Sequence, residues 1–383
     1  MTGSQLKQGL PNTDYYAPNF LVEIEGKELS PQTIGDVLEL KVVMDIDNIT
    51  SFDLTVANSY DPRLGFNSFK YSDSSIFDVG HQVHIKMGYA SGMVSMVTGQ
   101  IVSMTPRFPE SCPSILTISG LDGMFRLKER KPAQGEITKY VDKKDWQIAE
   151  IIAARNNLRV KVTREGEQHA EVVQKNQDDA QFLMERAKRI DFDCFILTDP
   201  ETSESTLHFV KPTDGRDSSK ISVYALSWGE NLINFNPTIN LSGQVGQVTV
   251  RGWNPASKQA IVATAGPDDL PGAANGGNSG PRAAQRTQQG KQDVVVDAPV
   301  NSYEEARNLA ISLLTERAYR FITATGQIIG LPDLRPGDNL ALGGIGSRFD
   351  GEYYVKKVEH VLGNSGYKTQ FEVRRMYEGK ESA

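Results

Sequence analysis

The chain has 383 residues, of which 39% are hydrophobic and 23% are charged, and it carries a formal net charge of −7 with a sequence pI of about 5.4. A chain of this length exceeds what a single hydrophobic core usually supports, so we expect two or three domains. The acidic balance argues against direct nucleic-acid recognition, because proteins with that role attract phosphates with excess Lys and Arg. No apolar run approaches the ~20 residues that span a bilayer, and the polar first residues lack the apolar stretch of a signal peptide. We therefore expect no membrane insertion, and folding in a cytoplasm.

The first part of the chain is predicted to be rich in strands. Residues 1–17 form an N-terminal tail in this interpretation, and residues 18–130 form a first β-barrel domain. GHQVHIKMGY alternates well, with Val83, Ile85 and Met87 on one face, and TGQIVSM and SILTISGL follow. Short alternating stretches separated by Gly, Asp and Pro are typical of an antiparallel sandwich or barrel.

Residues 131–215 have a different texture and predict a small α+β domain. DKKDWQIAEIIAARNNL has isoleucines at helical spacing, with Asp142 placed to cap the helix. NQDDAQFLMERAKRI predicts a second helix that Asn176 can cap. The strand patterns DCFILT and TLHFVK complete the domain.

The second β-barrel domain is predicted in two pieces, 216–262 and 293–383. The intervening segment, 263–292, is rich in Gly, Ala, Pro and Gln and has almost no large apolar residue, so we expect a flexible loop or linker. A helix is predicted over 302–320, because Ser302 opens an S-x-x-E capping box ahead of an apolar stripe.

The last strands echo the first ones. The matching stretches are VGHQVHIKMG (79–88) with PGDNLALGGIG (336–346), TGQIVSM (98–104) with DGEYYVKKV (350–358), and ILTISG (115–120) with TQFEVRR (369–375). Counterparts lie about 250 residues apart, which indicates one β unit used twice, although two unrelated antiparallel meanders can also look alike. Three copies of a chain with two similar barrels would present six similar units in a closed ring, and so match a threefold object to a sixfold one.

The order and spacing of several stretches resemble the phage late control gene D family over nearly the whole chain, from about Phe20 to Arg375. The stretches are FDVGHQVHIKMGY, NQDDAQFLMERAKRIDFDCFI, LSWGENLINFNPTINLSGQVGQVTVRGW, GLPDLRPGDNLALGGIG and FDGEYYVKKVEHVLGNSGYKTQFEVRR. The resemblance implies a baseplate hub of contractile tails and contractile injection systems, similar to the hub of T-even phages and to the hub half of type VI secretion VgrG proteins. Such hubs are trimers with two tube-like barrels per chain, and they join a hexameric inner tube to a trimeric spike.

In one respect the chain departs from VgrG proteins, which continue into an OB-fold and a β-helical needle. Here the sequence ends shortly after FEVRRMYEG, so we expect the spike to be a separate polypeptide. The segment 263–292 has no role that the resemblance assigns.

The five histidines do not form a recognisable metal or catalytic pattern. His81 and His84 lie three apart in an apparent strand and should point to opposite faces. His169, His208 and His360 are scattered, without H-E-x-x-H. A Ser/His/Asp set assembles across a fold and stays open, although no G-x-S-x-G elbow is present.

The other candidate motifs have structural explanations. Cys112 and Cys194 are too few and too far apart for zinc and are expected to be buried or half-buried thiols. GGIG (343–346) stands in a β context without a following helix and predicts a turn with positive φ. The acidic pairs Asp178/Asp179 and Glu304/Glu305 fall in first helical turns, where the helix dipole favours them. The sequence therefore names no catalytic, cofactor-binding or metal-binding residue, and no cofactor.

The sequence thus predicts a mainly β fold with an α+β insert, and a non-enzymatic, structural baseplate hub. The expected partners are two further copies, a hexameric inner tube protein, a separate trimeric spike and other baseplate components, assembled in a bacterial cytoplasm as part of a virion tail or injection particle. The alternatives are a tail-associated peptidoglycan hydrolase and a carbohydrate-binding β module. The second would show exposed aromatic clusters, whereas Trp146, Trp228 and Trp253 lie in separate segments and are expected to be packing residues.

Overall fold

The computed structural model describes residues 6–7, 17–60, 68–72, 76–90, 92–110, 113–129, 138–200, 202–213, 223–254, 257–273, 277–287, 291–296 and 298–379. Within these ranges, no helix is long and apolar enough to cross a membrane. Most of the predicted N-terminal tail, 1–17, lies outside the described residues, as do the predicted domain boundaries near 131 and 216.

The N-terminal part of the chain forms the first β unit, which has its own hydrophobic core. Its elements are β1 (Leu6–Lys7), β2 (Pro18–Ile24), β3 (Lys27–Glu28), α1 (Pro31–Gly35), β4 (Val37–Asp45), β5 (Ser51–Ala57), β6 (Gln82–Tyr89), β7 (Gly92–Arg107) and β8 (Ile115–Asp122). Alternate residues of the strands are buried, and in β5 these are Phe52, Leu54 and Val56. This is the alternation that the sequence predicts for a sheet with one face on a core.

The middle of the chain forms the α+β insert, which has a second core. Its elements are α2 (Met124–Glu129), β9 (Thr138–Lys143), α3 (Asp145–Arg155), β10 (Arg159–Val162), β11 (His169–Gln174), α4 (Asp179–Arg189), β12 (Asp193–Thr198) and β13 (Ser205–Val210). Both predicted caps are wrong by a few residues. Asp142 lies within β9, and Lys144 precedes α3. The N-cap of α4 is Asp178 rather than Asn176, because the Asp178 carboxylate accepts the N–H of Gln181.

The C-terminal part forms the second β unit and a further layer inserted into it. The elements are β14 (Val223–Ser227), β15 (Leu232–Ile239), β16 (Gln247–Asn254), β17 (Gln259–Ala265), α5 (Gly280–Thr287), β18 (Gln292–Val295), α6 (Tyr303–Ala318), β19 (Ile322–Ile329), β20 (Asn339–Gly343), β21 (Gly351–Gly363) and β22 (Gly366–Arg375). Strands β14, β15 and β19–β22 surround a third core. The chain between β15 and β19 forms the further layer, in which strands β16–β18, backed by α6, surround a fourth core.

The segment predicted to be a flexible linker, 263–292, is packed over much of its described length. It contains the end of β17, a 3-10 turn at Pro267–Asp269, α5 and the start of β18. Leu270 is part of the fourth core, and Ala284 of α5 is buried as well. A Cβ on Gly280 would overlap the side chain of Gln244, so the small residue permits close approach of the backbone. The prediction differs from the structure because small residues can pack by close approach without large apolar side chains.

The two β units repeat one strand arrangement. The order β4-β5-β8-β7-β6 in the first unit matches β15-β19-β22-β21-β20 in the second, and every neighbouring pair in both is antiparallel. The next strand differs, because β2 runs antiparallel to β6 whereas β14 runs parallel to β20. The fold is therefore mainly β, with two similar antiparallel barrel-type units and an α+β insert, as the sequence predicts.

Matching irregularities support the repeat. A β-bulge at Val102 in β7 corresponds to one at Lys356 in β21, and a bulge at Leu38 in β4 corresponds to one at Ile233 in β15. Each pair of bulges falls at the same point of the shared strand order, and bulges fix both register and local twist. These positions align the two units residue by residue.

Candidate functional site

The two β units join through one strand that is shared by both. On one edge of β21, the first residues pair with β20, and residues Lys357–Gly363 then pair with Glu39–Asp45 of β4. On its other edge, β21 pairs with β22. The bulge at Lys356 marks the change from β20 to β4. We call this contact of β21 with β4 the barrel junction, and it makes the two units one continuous sheet.

Apolar residues fill the barrel junction. Leu40, Val42 and Met44 of β4 are fully buried, and so are Val358 and His360 of β21 opposite them. Because alternate residues of a strand share a face, these side chains line one side of the junction. The junction therefore has the burial of a domain core.

His360 is the polar centre of this core. Its Nε2 lies 3.2 Å from the Leu334 carbonyl oxygen, which can only accept, so Nε2 carries the hydrogen. Nδ1 then accepts from the hydroxyl of Tyr367 at 2.9 Å, and Thr369 lies within 3.2 Å. Burial, and next the charge of Arg335, lower the pKa of His360 to about 3, so the ring is neutral at ordinary pH. Its chemistry is that of a satisfied core residue.

The loop between β19 and β20 fastens the same junction. Arg335 is buried and donates to the Leu334 carbonyl at 3.1 Å and to the carbonyl of Ser95, on β7 of the other unit, at 2.9 Å. Tyr89 of β6 donates to the Gly330 carbonyl at 2.8 Å. A buried guanidinium is costly to leave without acceptors, and this one bonds to carbonyls of both units, so it resists relative motion of the two units.

Two other strands have edges that the described part of the chain leaves unpaired. Beyond the bulge at Val102, β7 has β8 on one side and no described strand on the other. β15 pairs with β19, and apart from a single bridge at Leu232 its other edge has no partner in the described part of the chain. We call these the open edges. In the aligned units, the open edge of β7 corresponds to the edge of β21 that pairs with β4, and the open edge of β15 corresponds to the edge of β4.

The side chains at the open edges are apolar and incompletely buried. Phe235, Pro237 and Ile239 of β15 are half-buried, whereas their counterparts Leu40, Val42 and Met44 are fully buried. On the other edge, Met104 is half-buried, and Pro106 and Phe108 are exposed. Their counterparts in β21 are Val358, His360 and Leu362. The open edges therefore have the residue types of a junction without the covering strand.

Each open edge carries a proline at the matching place. The Asn240 N–H donates to the Phe321 carbonyl, so even-numbered residues of β15 face β19, and Pro237 faces the open edge. Pro106, the counterpart of His360, lies in the open part of β7. Proline offers no N–H to a new strand, and proteins use it to protect an edge against indiscriminate pairing.

A cleft of about 680 Å³ lies between the insert, α6 and the second β unit. On its wall the Arg374 guanidinium lies 4.0 Å from the Tyr319 ring centroid and 5.1 Å from that of Tyr354. The Tyr354 hydroxyl donates to Asp193 at 2.5 Å, and burial raises the pKa of that carboxyl. These groups hold the insert against β22, and their contacts are with one another.

Three of the remaining four histidines have ordinary partners, whereas His81 directly precedes β6 and its buried Nδ1 has no hydrogen-bond partner within the described part of the chain. His84 contacts Glu23 at 3.1 Å and Ser95 at 2.7 Å, His169 contacts Asp145 at 3.0 Å, and His208 stacks on Phe195. Burial lowers the pKa of His208 to about 4. Within the described ranges, no three His, Cys, Asp or Glu side chains cluster as metal ligands.

The other sequence motifs are placed as follows. Cys194 is buried, which raises the pKa of its thiol to about 12, and Cys112 lies outside the described residues. In GGIG, Gly344 and Gly346 have φ of 78° and 94°, as the turn interpretation requires. The acidic pairs lie at helix starts, where Asp178 caps α4.

The prediction for the tryptophans is wrong in part. Trp146 is half-buried beside Arg164, but Trp228 and Trp253 are exposed. Sequence reasoning also missed the role of Arg335, which stands inside the quoted stretch LRPGD. The signal that could have revealed the open edges is the single proline inside each of two strand patterns.

The comparisons with known proteins give a family from the sequence and a fold from solved structures. The family model described as the Alg8 N-terminal domain matches residues 16–364. No curated protein matches the chain.

Three solved structures are similar over almost the whole chain. A 43 kDa tail protein of prophage MuSo2 from Shewanella oneidensis is 13% identical with a TM-score of 0.66, covering 94% of this chain and 98% of that one. The tail protein from Neisseria meningitidis MC58 is 13% identical with a TM-score of 0.67, covering 94% and 97%. An E. coli type VI secretion component, described as similar in structure to the T4 tail proteins gp27 and gp5, is 13% identical with a TM-score of 0.55, covering 94% and 79%. At such identities the likeness shows a shared fold.

Proposed function

The chain belongs to the Alg8 N-terminal domain family, and we propose, from its fold and from the edges of its strands, that it is the structural hub of a contractile tail or contractile injection system. As a homotrimer it joins a sixfold inner tube to a threefold spike, without catalysis. The fold it shares with phage tail proteins supports this role, and so does the resemblance of its sequence to the late control gene D family.

The observation that carries the proposal is that the chain contains one complete barrel junction and two halves of another. Pairing β7 of one copy with β15 of the next repeats, between copies, the contact that β21 and β4 make within the chain. A head-to-tail contact that closes after three copies gives a ring with six similar β units. Such a ring has no open edge of this kind left.

The aligned bulges fix the register of the new contact. Its apolar pairs are Met104 with Ile239, Pro106 with Pro237, and Phe108 with Phe235. All six side chains would leave water on one face, and apolar burial contributes about 25 cal/mol per Å². Both prolines meet at one hydrogen-bonded position of the ladder, so that pair makes no ladder bond and leaves two carbonyl oxygens without donors, and the hydrogen bonds come from the pairs on either side.

Disulfide trapping tests the register directly. In the aligned contact Thr105 lies opposite Thr238, both exposed, in the place that Glu359 and Val43 occupy within the chain. The Ile46 N–H donates to the Lys356 carbonyl, so the pair of Val43 with Glu359 is a non-hydrogen-bonded one, with Cα atoms about 4.5 Å apart. That separation suits a disulfide.

The experiment compares three double variants in a Cys112→Ser background under mild oxidation. Thr105→Cys/Thr238→Cys should give covalent species that end at three chains on a non-reducing gel. The matched control Val43→Cys/Glu359→Cys should cross-link within single chains, and Thr105→Cys/Asn236→Cys, two residues out of register, should give much less product. The proposal would be overturned if the first variant gave single chains and no cross-linked species, or if the first and third variants gave equal yields of cross-linked product. Native mass spectrometry with the tube protein should then give three copies of this chain per six tube subunits.

The exposed Trp228 and Trp253 are what the alternative, a carbohydrate-binding module, would use. They lie on different sheets, Trp228 next to β14 and Trp253 in β16. A binding platform for sugar needs aromatic rings that act together, and these two tryptophans do not form one.

A further inference from the structure

Three aromatic rings cluster on the surface beside the open edge of β7. The ring centroids of Phe69 and Phe108 are 4.8 Å apart, and those of Tyr60 and Phe69 are 6.1 Å apart. Phe108 is 56% exposed and Tyr60 is 48% exposed. We call this cluster the aromatic patch. Exposed aromatic clusters of this kind mark interaction surfaces, because rings bury much apolar area when covered.

A second apolar surface lies beside the open edge of β15. Trp228 is 55% exposed and Ile233 is 47% exposed. The Trp228 N–H donates to the Gly343 carbonyl, and a bridge joins Trp228 to Leu232 at the start of β15. We call Trp228 and Ile233 the hairpin patch. It presents a large indole next to the strand start.

The barrel junction within the chain shows where the two patches come together. Leu38, the bulged counterpart of Ile233, lies at the far end of the junction, where its carbonyl oxygen is 3.3 Å from a Cβ built on Gly363. The counterpart of Gly363 on the open edge is Pro109, which directly follows Phe108. In the contact between copies, the bulge at Ile233 would therefore lie against the chain next to Phe108.

We propose that the aromatic patch of one copy packs on the hairpin patch of the next, with a second copy of this chain as the occupant. This inference rests on the proposed function, because the register of β7 with β15 brings the patches to the same end. It goes beyond that function in naming Trp228 as the side chain buried by assembly. The contact lies outside the paired strands and adds aromatic packing to the end of a ladder that two prolines weaken.

Trp228 is its own reporter. A protein with Trp146→Phe and Trp253→Phe keeps Trp228 as the only tryptophan. Placed in the Thr105→Cys/Thr238→Cys chain, it can be measured both in the oxidised ring and in the reduced protein, diluted until sedimentation shows single chains. We expect the acrylamide quenching constant to fall at least twofold in the ring, with a blue shift of the emission. The matched control keeps Trp253 instead, which is 57% exposed on the separate β16 sheet, and its quenching should not change.

A substitution tests the other side of the contact. Phe108→Ala should weaken association of the single chains at least tenfold in sedimentation and restore quenching of Trp228 in the oxidised ring. Val79→Ala, at another exposed apolar residue, should change neither. If the ring forms but the acrylamide quenching constant of Trp228 is the same in the ring as in single chains, this inference is wrong and the hub proposal stands. Absence of any ring overturns both, and quenching of the single chain on adding soluble peptidoglycan fragments would assign the hairpin patch to sugar instead.

Discussion

Gly326 in β19 lies directly opposite Phe371 in β22, and a Cβ on Gly326 would overlap the Phe371 ring. The first β unit has the same device with the roles exchanged, because Phe52 of β5 covers Gly120 of β8. In both units the aromatic ring fills the space that the glycine leaves on the partner strand. The two units thus share a way of packing a bent sheet as well as a strand order.

Gly326→Val should lower the free energy of unfolding by about 1–3 kcal/mol, because the new side chain forces the Phe371 ring off its position. Denaturant unfolding followed by circular dichroism measures this. Gly92→Ala is the matched control, since Gly92 is an exposed strand residue with open space at its Cβ, and we expect a change within about 0.5 kcal/mol. Adding Phe371→Leu to Gly326→Val should cost less than the sum of the single changes, and strict additivity would argue against the ring contact.

Arg335→Met should destabilise the chain by about 3 kcal/mol, because the carbonyls of Ser95 and Leu334 lose a buried donor. Arg335→Lys should recover little of this, since one ammonium cannot reach the same fork of acceptors. Since Arg335 ties the two β units, we also expect the single unfolding transition to split. Arg320→Ala, at an exposed residue paired with Glu316, should leave both stability and cooperativity unchanged.

His360 predicts that acid destabilises the fold. Its folded pKa of about 3 lies below the unfolded value of about 6.5, so between these pH values the unfolded chain binds the extra proton. The stability that this group contributes is present above about pH 6.5 and is lost as pH falls towards 3. His360→Gln should be less stable than the parent at pH 7.5, and the difference should narrow by pH 4.5. Melting temperatures across this range measure it, and a gap that stays constant would contradict the assigned pKa.

Asp122 predicts the opposite pH dependence, in which the stability of the fold falls as pH rises. It is buried where α2 begins, and burial raises its pKa to about 7, although it accepts the Met124 N–H at 2.9 Å. Because the folded pKa lies above the unfolded value of about 3.9, the folded chain binds the extra proton between them, and this contribution is lost as pH rises through 7. Asp122→Asn should therefore gain stability relative to the parent between pH 5 and pH 8. A relative loss over that range would show that Asp122 is buried as a stabilised carboxylate.

The strands themselves could be predicted from the sequence because burial on one face imposes alternation, as β5 shows throughout and β6 shows up to Met87. The cap at Ser302 is confirmed, since its hydroxyl accepts the Glu305 N–H at 2.9 Å, but the Glu305 carboxylate accepts the N–H of Asn301 and not that of Ser302, so only half of the predicted capping box forms. The repeat was visible in the glycine turns and in the apolar spacing of β6 and β20. These features depend on residues close together in the chain, which is why they can be predicted from the sequence alone.

By itself the sequence determined the alternating strands and the helix that Ser302 caps, and it indicated the doubled β unit. Only the tertiary structure decided which edges those strands share. The choice of β4 as the second neighbour of β21, the burial of Arg335 between the units and the exposure of Trp228 all depend on residues more than a hundred positions apart. Pairing across such distances depends on register, bulges and the shape of both cores, and no local pattern encodes that combination.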